Sequence, residues 1–180
     1  QIEVAEATAG GGVILRIGIA DVDALVPKGS AIDAHAEANA TSVYTGVKVF
    51  PMLPPELSEG ITSLNENEER AAIVIEFKVD AEGNASDGAA YRALVRNRAQ
   101  LAYNSVGAWL EGKGAAPVKV AASSALAAQL RLQDKAAQAM QGSRFQHGAL
   151  DLETIETRPV TLRSDIVDLA RLEKNRATSL

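Results

Sequence analysis

At 180 residues, 47% hydrophobic and 23% charged, the chain has the size and composition of one folded domain able to bury a core. Its net charge of −5 excludes a protein that grips nucleic acid through a generally basic surface, although eighteen Lys and Arg leave room for a locally basic channel. The absence of cysteine removes disulfides, thiolate metal sites and cysteine nucleophiles. No run approaches the ~18 consecutive apolar residues of a membrane span. The opening QIEVAEATAGGG has neither the basic start nor the apolar run of a secretion signal, and no initiator Met. A cytoplasmic piece of a longer protein is the expectation.

Ile2-Glu3-Val4-Ala5-Glu6 alternates apolar and charged side chains, which predicts a half-buried strand, and Gly10-Gly11-Gly12 predicts a hairpin tip. Val13–Asp21 is apolar on both faces and predicts a central strand. Ser30, with Asp33 three residues on, predicts the start of an Ala-rich helix that keeps His35 on its surface. Thr41–Asn65 holds three of the six prolines: a β-branched run with one aromatic, Tyr44, then a rigid corner Phe50-Pro51-Met52-Leu53-Pro54-Pro55. A strand leading into an ordered loop is expected there. Glu66–Arg70 reads as a solvated loop. Ala72–Asp80 then alternates with period two, with Ile73, Ile75, Phe77 and Val79 on one face.

Asp80–Asn84 is a hairpin turn with glycine for positive φ, and about Ala85–Asn97 the return strand, with Arg92, Leu94 and Arg96 on one side. Asn104 is the expected N-cap of a helix Ser105–Glu111, in which Trp109 is most simply a core anchor; Gly112 and Gly114 end it. A longer helix, about Ala121–Gln141, carries Leu126, Leu130, Ala137 and Met140 in one stripe, and Gln129, Gln133, Lys135 and Gln138 form its expected solvated side. Gly142–Gly148 reads as a connection containing an unpaired His147. Ala149–Glu153 and Thr157–Arg163 read as strands and Ile166–Leu169 as a third. A helix without a cap is expected from about Glu173.

Motifs for catalysis are sparse. There is no nucleophile elbow, HExxH, zinc spacing or Walker sequence, and the carboxylates are not clustered as two metals ~4 Å apart would require. Arg92, Arg96 and Arg98 make the densest basic cluster, either a solvated edge or a phosphate-facing surface. Residue by residue, the chain is an α+β domain of mixed, largely antiparallel β-sheets flanked by helices. It carries an aromatic-bearing loop and an arginine patch.

The strings IADV from Ile19, GS-x-x-D from Gly29, TSVY at 41–44, PMLPPELSEG at 51–60 and SLN at 63–65 stand in the order and spacing of the RNB catalytic domain of the ribonuclease II and ribonuclease R exoribonucleases. RNRAQLAYNSVGAWLEG, GALDL and EKNRATSL extend the similarity over nearly the whole chain, which therefore resembles the central part (1–180) of one such domain, incomplete at both ends. The resemblance implies a hydrolytic 3′→5′ exoribonuclease that releases nucleoside monophosphates from single-stranded RNA at a Mg²⁺ site. It also implies that Tyr44 and Tyr103 pack on bases near the 3′ end, with Leu152 where the family often has phenylalanine; on that reading the Arg92, Arg96 and Arg98 patch, found from the residues themselves, is expected to face the strand. Asp21 matches an aspartate of the family's IAD string and is read as a supporting residue, not a metal ligand. The family's aspartate motif and distal glutamate are expected outside this chain, so no catalytic or metal-ligating residue is assigned within it. A non-catalytic RNB-like module that binds RNA or a protein stays open as the alternative.

Overall fold

The computed structural model describes residues 1–45, 48–150, 156–162, 165–172 and 175–180. In chain order it runs β1 (Ile2–Ala7), β2 (Val13–Ala20), α1 (Ala31–Asn39), β3 (Val43–Tyr44), β4 (Val49–Phe50) and a π-helical turn (Glu56–Gly60). There follow β5 (Glu69–Val79), β6 (Ala85–Arg96), α2 (Tyr103–Leu110), α3 (Val118–Ala121), α4 (Ser124–Gln146), β7 (Glu156–Leu162), β8 (Asp165–Leu172) and a 3₁₀ turn (Arg176–Ser179). The pairs β1–β2, β3–β4, β5–β6 and β7–β8 are all antiparallel, so the expected α+β class is the observed one. The chain divides into two compact units, Gln1–Ile19 with Leu64–Asp151 and Lys174–Leu180, and Ala20–Ser63 with Leu152–Glu173.

The first unit is a four-stranded sheet in the order β1-β2-β5-β6. β2 lies inside it, as its two apolar faces demand. Ala5, Val13, Leu15 and Val79 pack with Ala136 of α4 into one core, joined by Phe77, Leu132 and Met140. A second core gathers Val106, Val120, Leu130 and Ala177, with Trp109 and Leu126 against it. Trp109 is thus a core anchor, and the Arg131 guanidinium lies 5.1 Å from its ring centroid.

The outer edge of β1 would expose unpaired backbone groups, and α4 supplies their partners. The Gln129 side chain donates to the Ala5 carbonyl at 2.7 Å and accepts the Ala5 N–H at 2.9 Å, as a neighbouring strand would. Gln133, buried, donates to the Glu3 carbonyl at 3.1 Å. These two glutamines are therefore not on a solvated face. Helical periodicity marks polar positions, but it does not reveal a sheet edge lying against them.

Burial along β5 changes face. Ala72 and Val74 are buried near its start, whereas Phe77 and Val79 enter the α4 core near its end, and Ile75 is 40% exposed. The change falls at a bulge between Glu76 and Lys78, where Asp87 of β6 takes φ 51°. The strand also starts earlier than expected, with Glu69 and Arg70 inside it. The β5–β6 turn needs glycine at Gly83, at φ 87°, because a Cβ there would stand 2.0 Å from the Ala139 carbonyl oxygen. Asp80 closes the same turn by accepting the Glu82 and Asn84 N–H groups at 3.0 and 2.8 Å.

Helix boundaries differ from expectation at three places. Ala102, in extended backbone, is the N-cap of α2 instead of Asn104, whose side chain accepts from Asn175 at 3.3 Å. The long helix starts after Ser123, whose hydroxyl accepts the Leu126 N–H, and continues through Gln146, absorbing most of the expected 142–148 connection. His147 closes it, its Nδ1 2.7 Å from the Ser143 carbonyl. The C-terminal turn is 3₁₀ and does carry a cap: Asn175 and Thr178 form a reciprocal capping box. Ala149 and Leu150 have no regular structure, and 151–153 lie outside the described residues.

In the second unit, Ser30 caps α1 as predicted, but Asp33 turns back to accept the Gly29 N–H at 2.7 Å. No residue of α1 is buried. The expected strand and loop after Thr41 form instead a two-residue hairpin, β3–β4, followed by the proline corner and the π-helical turn. β7 and β8 form a second hairpin, longer than the expected strands.

Candidate nucleic-acid interface

In the second unit, local hydrogen bonds build the platform that carries Tyr44. The Thr45 hydroxyl donates to the Lys48 carbonyl at 2.6 Å and accepts the Lys48 N–H at 3.0 Å, closing the β3–β4 connection. Ser42 Oγ accepts the Met52 N–H at 2.9 Å, tying the base of the hairpin to the proline corner. Beyond the corner, the Pro54 carbonyl accepts the Leu57 and Ser58 N–H groups, both at 2.9 Å, and Ser58 Oγ donates to the Leu53 carbonyl. Leu57 is buried, and buried Thr62 donates to its carbonyl. A rigid base thus presents Tyr44 with 78% of its surface exposed. Such a ring has the form of a stacking surface; a core tyrosine would be covered.

Asp21 is 4% exposed, and its Oδ1 accepts the Ala24 N–H at 3.2 Å, shaping the turn from Val22 to Val26. This bond helps to organise that turn, and Asp21 is engaged in a further interaction as well. Among the described residues, no group of three or more His, Cys, Asp or Glu side chains is placed to hold a metal ion. The described donors therefore do not fit the metal that the family resemblance implies.

In the first unit, a cleft of about 570 Å³ opens beside the start of β1. The segment from Arg96 to Tyr103 forms one wall, and Leu126, Leu130 and Val106 give it an apolar floor. That wall is firmly held. Asn97 donates to the Leu64 carbonyl at 2.9 Å, its own carbonyl accepts the Asn67 N–H at 2.8 Å, and its Oδ1 accepts the Ala99 N–H at 3.0 Å. Glu66 accepts the Gln100 N–H at 2.7 Å and an ion pair from Lys119. The Lys119 ammonium, then the Gln100 amide, hold the Glu66 carboxyl below the usual carboxylate range. Tyr103, the first residue of α2, is 60% exposed at the cleft.

The three arginines have different circumstances. Arg96 pairs with Glu69 at 2.8 Å, Arg92 is engaged in an interaction of its own, and Arg98 is exposed beside the cleft without a partner among the described residues. Both Arg92 and Arg96 lie on β6, while Arg98 lies beyond its end. Leu152 lies outside the described residues. Sequence reading missed the cleft itself, because its walls come from 1–4, 96–106, 126–133 and 177–180. It also assigned Phe50 only to the corner, although that ring is 51% exposed with the Lys48 ammonium 4.9 Å from its centroid.

The family model of the RNB domain matches residues 2–180. The chain belongs to the RNB family. Ribonuclease R of Vibrio cholerae serotype O1 is 36% identical over 153 residues, covering 85% of this chain and 18% of the relative. Exoribonuclease 2 of Klebsiella pneumoniae is 38% identical over 111 residues, 61% of this chain and 17% of the relative. Mycoplasma genitalium RNase R, solved in complex with ribose methylated single-stranded RNA, superposes with a TM-score of 0.88 at 26% identity, over 98% of this chain and 27% of that one. The chain thus spans under a fifth of the length of these two curated relatives. The RNB resemblance read from IADV, TSVY and the proline corner agrees with this membership.

Proposed function

We propose that this chain is the central part of an RNB domain whose protein degrades single-stranded RNA hydrolytically from the 3′ end, releasing nucleoside monophosphates. The observation that carries the proposal is the RNB match across residues 2–180, which includes both exposed tyrosines. Tyr44 on its braced hairpin stacks on a base, and Tyr103 contacts the terminal nucleotides beside the cleft. Stacking suits an enzyme that must accept any sequence, since every base has a π-face. Arg98 is the member of the arginine cluster best disposed to meet a phosphate, because Arg96 and Arg92 are already engaged. Leu152 packs on a base without stacking. Mg²⁺ is the expected metal, with ligands outside this chain, and Asp21 supports the site through the turn it organises. The protein is expected to act in the cytoplasm.

The test is binding of a fluorescent single-stranded RNA oligonucleotide. Tyr44→Ala is expected to weaken affinity about tenfold, in line with ~1–3 kcal/mol per stacked base, while Tyr44→Phe stays near wild type. Equal affinities for wild type and Tyr44→Ala would remove the stacking role. In the whole protein, Mg²⁺-dependent stepwise shortening of 5′-labelled RNA from its 3′ end is expected, and body-labelled RNA should yield nucleoside monophosphates. Internal cleavage, or no cleavage, would overturn the exonuclease reading.

A further inference from the structure

The β3–β4 hairpin has two faces, and the stacking role proposed for Tyr44 uses one of them. Cross-strand partners share a face, so Tyr44 lies with Val49 and Val43 lies with Phe50. Lys48, two residues before Phe50, lies on the Phe50 side, as its ammonium over that ring shows. Phe50 is 51% exposed and Val43 likewise 51%. Among the described residues Phe50 belongs to neither core of the first unit, and half of its surface is accessible with a cation over the ring.

We propose that Phe50 and Lys48 form a second nucleotide-binding surface, on the face of the hairpin opposite Tyr44. The inference rests on the single-stranded RNA reading of the protein. Phe50 stacks on one base while Tyr44 stacks on another, so the hairpin stands between two bases of the strand. Stacking explains why the ring is left accessible, and charge explains the lysine. With no RNA bound, the ammonium rests over the electron-rich face of Phe50. When a base takes that face, the flexible four-carbon stem lets the ammonium move to the adjoining phosphate as a point charge. A chain of net charge −5 needs such local cations wherever it meets a polyanion.

The experiment measures anisotropy of a labelled single-stranded homopolymer RNA for wild type, Tyr44→Ala, Phe50→Leu, Phe50→Trp and Lys48→Ala of the full chain. A second readout is 2-aminopurine fluorescence at successive positions of the RNA. Phe50→Leu keeps an apolar side chain but loses the ring; it is expected to weaken binding about tenfold and to relieve quenching at one position distinct from the position affected by Tyr44→Ala. Phe50→Trp is expected to retain affinity and quenching. Lys48→Ala is expected to lower the slope of log affinity against log salt by about 0.7, one phosphate contact on a single strand. If Phe50→Leu binds and quenches as wild type while Tyr44→Ala is impaired, the second surface is overturned and the RNA reading survives. If wild type does not bind the RNA, both fall together.

Discussion

Individual side chains in this protein are set by partners that are often distant in sequence. Glu66 is the clearest case. Alone it is one acid in a polar run, but folded it holds the Gln100 amide and the Lys119 ammonium, and so anchors the wall that carries Arg98 and Tyr103. Its carboxyl is held below its usual value of 4.5, so the charged form is favoured in the folded state. A carboxyl depressed by folding stabilises the fold above its unfolded pKa, and this contribution is lost as pH falls through the lower folded value. Wild type is therefore expected to lose stability as pH drops below about 4.5. Glu66→Gln should show a shallower loss over that acid range, read from urea midpoints; identical pH profiles would show that Glu66 does not couple the wall to the fold. Tyr44 is the opposite case, since the stacking role proposed for it comes from the contiguous string TSVY, and the ring is 78% exposed.

At the scale of elements, α4 does more than cover the sheet. Gln129 completes the edge of β1 through both backbone groups of Ala5, and Gln133 adds Glu3. Removing the first should leave an N–H and a carbonyl without protein partners, at about 1–3 kcal/mol for a buried unsatisfied group. Gln129→Ala is expected to fall at the lower part of that range, because water reaches part of this edge, with Gln133→Ala costing less. Chemical denaturation gives the loss, and faster amide hydrogen exchange at Ala5 locates it; unchanged exchange there would refute the pairing. The alternation of Ile2–Glu6 and of 72–80 was legible because a strand's period is local. The glutamine pairing was not, because helical spacing carries no record of which strand edge lies opposite.

For the whole molecule, RNB membership places the chain within an RNA-degrading family, and its described donors do not assemble a metal site. If the metal ligands lie outside this chain, as proposed, the isolated 180-residue chain is expected to bind single-stranded RNA without cleaving it. Mg²⁺-dependent release of mononucleotides by the purified chain, beyond the level of a mock preparation, would refute this. By itself the sequence determined the α+β class, the central place of β2, the glycine turn at Gly83 and the family, because period, turn chemistry and motif order are properties of contiguous residues. Only the tertiary structure decided where Gln129 and Gln133 point, how burial changes face along β5, which arginine beside the cleft has no partner among the described residues and that Phe50 is half exposed on the face opposite Tyr44. Each of these depends on segments tens of residues apart or on strand pairing, and local propensity does not encode which surfaces meet.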